Sequence, residues 1–163
     1  MSRYISWLLL LGIAMLPRIG NAQTPCPWLN NATAAGVLKG PVSLKMQSTT
    51  DNGGVCDFQY QEGSAIYTLK IVVNDMKSSS SESTAEGSRC RSHALSLKGI
   101  GNEAILCPVD SKGLYGEQVI GRVRDKQFII SVGSNLTRNR SMSLETCQLK
   151  AKGIAEQVAG SLF

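Results

Sequence analysis

The sequence predicts an α+β domain in which an antiparallel sheet is packed by N-terminal and C-terminal helices, in the order α-β-β-β-α-β-β-β-α. Three observations carry that expectation. Apolar residues recur at helical intervals near both ends of the exported part of the chain, short runs of β-branched and aromatic residues fill the middle in two sets, and glycine-bearing turns separate those runs.

The first residues are read apart from this domain. Arg3 supplies a positive start, residues 5–16 form an apolar or small-residue run, and Gly20 and Ala22 put small side chains at the minus-three and minus-one positions of a cleavage site. Such a run is too short for the roughly 20 residues that span a bilayer, so residues 1–22 are expected to be a signal peptide removed after Ala22, and the mature form is expected to have no transmembrane segment. Gln23-Thr24-Pro25 lacks the small and leucine residues of a lipoprotein signal ahead of Cys26. Residues 23–163 then form one exported domain; taking 22 residues from 163 leaves 141, a common single-domain length. Removing Arg3 and Arg18 lowers Lys and Arg from 17 to 15 against 12 Asp and Glu, a charge of +3 rather than +5, too mild to point to nucleic acid.

Within that domain, Trp28, Leu29, Ala32, Ala35 and Leu38 predict a first helix over 26–38, stopped by Gly40-Pro41. Residues 42–46, 55–60 and 66–73 predict a three-stranded meander, with turns at 51–54 and 62–64. The serine-rich stretch 77–88 has no apolar residue larger than alanine and is expected to be a mobile loop. A short helix is expected over 89–97, then strands at 104–108, 117–124 and 127–132, with Asp125-Lys126 at a hairpin tip. Leu144, Cys147, Ala151, Ile154, Val158 and Leu162 line one face of a last helix, with Ser143 as cap and Glu145 in its first turn.

All five cysteines, Cys26, Cys56, Cys90, Cys107 and Cys147, fall in the exported part, where thiols pair in an oxidising compartment. Two disulfides and an odd thiol allow fifteen arrangements, five choices of the odd residue with three pairings each. Sequential pairing, Cys26 with Cys56 and Cys90 with Cys107, closes two modest loops and leaves Cys147 over; each bridge adds about 2 to 4 kcal/mol. The cysteines are too far apart, and histidine too scarce, for a zinc site.

Cys26-Pro-Trp-Leu29, Ala34-Ala-Gly-Val-Leu-Lys-Gly40, Cys56-Asp-Phe58 and Gly99-Ile-Gly-Asn-Glu-Ala104 together resemble small exported bacterial domains of unknown function found in periplasmic proteins and lipoproteins, some of them similar to the PsbP/Mog1-like fold. The resemblance implies an extracytoplasmic α+β domain with a Cys26 to Cys56 bridge. It carries over no catalytic residue.

Candidate chemistry is sparse. His93 is the lone imidazole, and its neighbours Arg89, Arg91 and Lys98 do not orient a ring as a carboxylate does, so it reads as a surface or structural residue. Cys147 is a candidate free thiol, set on an apolar stripe that favours burial. Gly99-Ile-Gly101 lacks the rest of a phosphate loop and reads as a tight turn, as does Gly113-Leu-Tyr-Gly116. Arg122, Arg124, Lys126, Arg138 and Arg140 form a candidate basic contact surface, which a solvated sheet face explains equally simply. Asn31, Asn135 and Asn139 begin N-glycosylation acceptor patterns that matter only in a eukaryotic source. No cofactor or metal is expected. The leading expectation is a non-catalytic domain, periplasmic or secreted, that binds a protein or small ligand in the bacterial cell envelope or outside the cell. Its alternatives are a secreted inhibitor of a hydrolase and an enzyme using dispersed carboxylates or hydroxyls.

Overall fold

The alternating runs close into one antiparallel sheet in the computed structural model, which describes residues 25–50, 53–76, 90, 94–109, 113–135 and 142–163. The expected signal peptide, the serine-rich stretch 77–88, His93, Arg138, Arg140 and Asn139 lie outside the described residues. The fold is α+β: seven strands, β1 (Ser43–Thr50), β2 (Gly53–Glu62), β3 (Ala65–Asp75), β4 (Leu95–Leu97), β5 (Glu103–Pro108), β6 (Tyr115–Val123) and β7 (Lys126–Ser134), between the helices α1 (Asn31–Leu38) and α2 (Leu144–Ser161). The strand order β1-β2-β3-β7-β6-β5-β4 brings each set inward from its own edge, so that β3 and β7 meet at the centre.

Two-residue turns explain the hairpins. Gly63, with φ of 60°, and Ser64 join β2 to β3 so that Glu62 faces Ala65. At the other hairpin the turn is Arg124-Asp125, one residue earlier than expected: Arg124 takes a left-handed φ of 54°, and Val123 pairs with Lys126, which begins β7. Gly99 and Gly101 also have positive φ, and a side chain at Gly101 would meet the Arg122 carbonyl, so this stretch is a tight turn against β6.

Two expected helical segments change. Residues 95–97 form β4 rather than the end of a helix, because pairing with β5 satisfies the outer edge of that strand and places Leu97 against the core. This gives seven strands where six were expected; Cys90, near the start of the expected helix, is helical, and the remainder of 89–94 apart from Ala94 lies outside the described residues. The first helix begins at Asn31, not Cys26. Pro27 disfavours helix at the residue before it, and the Asn30 side chain accepts the Thr33 amide at 2.8 Å as the cap. The buried face is therefore Ala34 and Leu38 rather than Ala32 and Ala35. Helix α2 matches its expected register: Ser143 caps it, Glu145 lies in its first turn, and Cys147, Ala151, Ile154 and Val158 are buried.

Both helices cover one face of the sheet, α1 over β2 and β3 and α2 over β6 and β7. That face is built from cross-strand rows: Cys56, Ile71, Ile130, Val119 and Leu106 form one, and Gly54, Val73, Phe128, Gly121 and Ala104 the next. Every one of these residues is buried, and each large side chain contributes roughly 1.5 to 3 kcal/mol by leaving water. The opposite face carries a smaller apolar cluster of Cys90, Cys107, Ile120 and Ile129, with Val72 and Ile105 at its margin. Cys26 and Cys56 lie at disulfide distance with Cα atoms 5.9 Å apart, and Cys90 and Cys107 with Cα atoms 5.7 Å apart. The first pair ties the segment before α1 to β2, which matters because an eight-residue helix is marginal alone.

Gly121 sits beneath the fully buried Phe128 ring, which occupies the space a β-carbon would take. Replacing Gly121 with Ala is expected to destabilise the domain by about 1 to 3 kcal/mol, as overpacking does. Urea unfolding with an unchanged midpoint would contradict this placement of the ring.

Candidate functional site

At one corner of the helix-bearing face, the end of α1, the start of α2 and the hairpin end of β2 and β3 enclose a cavity of about 260 Å³. Register places its floor. The two-residue turn sets Tyr60 opposite Tyr67, one row beyond the buried pair of Phe58 and Leu69, and the two rings stack with centroids 5.7 Å apart and planes 18° from parallel. Gly40 is what admits the Tyr60 ring, since a side chain there would overlap it. Glu62, at the end of β2, is the carboxylate of the lining.

The walls come from the helices. Leu38 ends α1, and Lys39 closes it in the left-handed region with φ of 63° and its amide donated to the Ala35 carbonyl. Across the cavity, Ser143, Thr146 and Lys150 recur at three and four residues and so share one side of α2 and its cap. The Ser143 hydroxyl accepts the Thr146 amide at 3.1 Å, and the two hydroxyls lie 2.8 Å apart. Lys150 Nζ donates to the Val37 carbonyl in the last turn of α1, a contact that joins the two helices directly. Burial and the charge of Lys39 hold the Lys150 ammonium below the usual lysine range, with nearby Cys147 opposing. Among the described residues, neither lysine has a carboxylate within ion-pair distance.

Beneath the first turns of α2 lies a second polar group. Glu117 occupies a sheet position otherwise given to apolar residues, paired with Val132, and its side chain is 3 % exposed. Burial raises its pKa while a hydrogen bond with Gln148 acts in the opposite sense. Cys147 is free and buried beside it, and its thiol is held protonated by burial and by the charge of Glu117. Among the described residues there is no group of three or more His, Cys, Asp and Glu side chains that can hold a metal ion, and no helix is long and apolar enough to cross a membrane.

The residues singled out from the sequence lie elsewhere. Arg122 pairs with Glu103 at 2.7 Å, its cross-strand neighbour, in an exposed contact of little energetic weight. Arg124 is in the hairpin turn, its amide donated to Asn102 Oδ1 at 2.7 Å and its guanidinium 5.7 Å from the centre of the Phe163 ring. Lys126 starts β7 at a register position on the helix-bearing side, whereas Arg122 lies on the other, so the pleat does not bring these three onto one face. Asn135 is also committed: its side chain accepts the Ile66 amide and donates to the Ser64 carbonyl, locking the β2–β3 turn to the end of β7.

The cavity residues were missed because none belongs to a motif. Two signals were present: a two-residue turn after Glu62 pairs Tyr60 with Tyr67, and Ser143, Thr146 and Lys150 share a helical period. Comparison of the chain with protein-family models, curated sequences and solved structures finds no match.

Because the folded pKa of Glu117 lies above its usual value, the folded state holds more protons than the unfolded one in the window from about 4.5 upward, so this group subtracts stability increasingly as pH rises through that window. Glu117→Gln is expected to raise the melting temperature at pH 7, with the gain shrinking as pH falls through 4.5. A variant less stable than the parent at pH 7 would show that the ionised carboxylate is itself a stabilising partner.

Proposed function

We propose that this protein is a non-catalytic, exported domain that holds a small ligand in the cavity between α1 and α2, in the cell envelope or outside the cell. The observation that carries the reading is the convergence on one pocket of two stacked tyrosines and two lysines that have no carboxylate within ion-pair distance among the described residues. Small-molecule sites are concave and fix a ligand through convergent polar groups, which the lysines, tyrosines and hydroxyls supply here. At about 260 Å³ the cavity is below the common range for drug-sized ligands, which favours a compact metabolite over a peptide.

Export is supported by the residue pattern of 1–22 and by two cysteine pairs at disulfide distance, an arrangement suited to an oxidising compartment. A binding role rather than catalysis is favoured by the surroundings of Cys147, which lies buried and protonated beside a carboxylate instead of exposed beside a base.

Native mass spectrometry of the protein recovered from the periplasm tests both parts. The chain is expected to begin at Gln23 and to carry a small non-covalent mass, lost in Thr146→Trp, which fills the cavity, and kept in Arg122→Ser with Arg124→Ser. Loss of that mass in the arginine variant, with retention in Thr146→Trp, would move the binding site to the β6–β7 hairpin.

A further inference from the structure

The charges around the cavity define which ligands it suits. Lys39 and Lys150 contribute two positive charges and Glu62 one negative, which leaves a single positive charge to be balanced by whatever enters. A monoanion balances it, whereas a dianion brings excess charge beside Glu62. Ser143 and Thr146 add hydroxyls, and Leu38, Met142 and the paired tyrosine rings supply the apolar part of the lining, against which a carbon skeleton can pack.

We propose that the cavity takes a small organic acid, its carboxylate held between Lys39 and Lys150 and its carbon skeleton packed along Tyr60, Tyr67, Leu38 and Met142. This rests on the reading of the cavity as a ligand site and names the ligand class. The arrangement of Lys150 supports it in two ways. Its Nζ is oriented by the Val37 carbonyl, so one donor is spent on the fold and the others remain for a ligand. Its ammonium is also held below the usual range by burial and by Lys39, a penalty that an entering carboxylate relieves.

Isothermal titration of the oxidised protein with three probes tests the proposal: benzoate, the uncharged benzyl alcohol of nearly the same shape, and inorganic phosphate. Benzoate is expected to bind at least about tenfold more tightly than either, the factor supplied by one charge-assisted hydrogen bond. Lys39→Gln and Lys150→Gln are each expected to weaken benzoate by about the same factor and to leave benzyl alcohol unchanged. Lys39 is exposed, so its variant keeps the test available if loss of the Lys150 contact impairs folding. Equal binding of benzoate and benzyl alcohol, both abolished by Thr146→Trp, would overturn the acid while leaving the cavity as a ligand site. Phosphate binding as tightly as benzoate would overturn the organic ligand. No heat with any probe would overturn the proposal, and the mass carried by the periplasmic protein then decides the cavity reading separately.

Discussion

The pairing of β3 with β7 is the constraint on which the rest of the molecule depends. Nine residue pairs, from Tyr67 with Ser134 to Asp75 with Lys126, join two sets of strands that are otherwise separate in the chain. A slip of one residue would put Ile71 and Ile130 on opposite faces and break the row they share with Cys56, Val119 and Leu106. Asn135 guards that register from the end of the ladder, where its side chain bonds the β2–β3 turn in two places. With the register set, α2 has an apolar bed on β6 and β7, and α1 has one on β2 and β3.

The cavity is a by-product of that closure, left at its edge. Phe58 and Leu69 are fully buried, whereas Tyr60 and Tyr67, two residues further along the same face, lie where neither helix reaches over them completely. Helix α1 is short and stops at Lys39, held from behind by the Cys26 to Cys56 pair and from the front by the Lys150 contact to Val37. The opening left between the helices is therefore bounded by fixed parts: a stacked aromatic pair, a helix end and a capped helix start. Preorganisation of this kind limits the ordering cost of binding.

Much of the fold was legible because its elements obey simple periods. Strands β2, β3, β5 and β7 and helix α2 were expected within a few residues of their observed bounds, and Ser143 was expected as the cap. The errors have physical causes. Leu95-Ser96-Leu97 is too short for its period to distinguish helix from strand, and the open edge of β5 decides it. The α1 stripe was misplaced because Pro27 and the Asn30 cap delay the helix start. The site was far less legible. Arg122, Arg124 and Lys126 are close in sequence, but a turn and a change of face keep their side chains from sharing one surface. Lys39, Tyr60 and Lys150 lie far apart in the chain, and only tertiary closure assembles them.

The central claim is that small organic acids enter between α1 and α2. Chemical-shift mapping of the oxidised protein during titration with benzoate tests it most directly, because it reports location without assuming a site. The account predicts saturable changes centred on Lys39, Tyr60, Tyr67, Thr146 and Lys150, with the β6–β7 hairpin at Arg124 undisturbed. Changes centred on that hairpin, or none at the end of α1 and the start of α2, would contradict it.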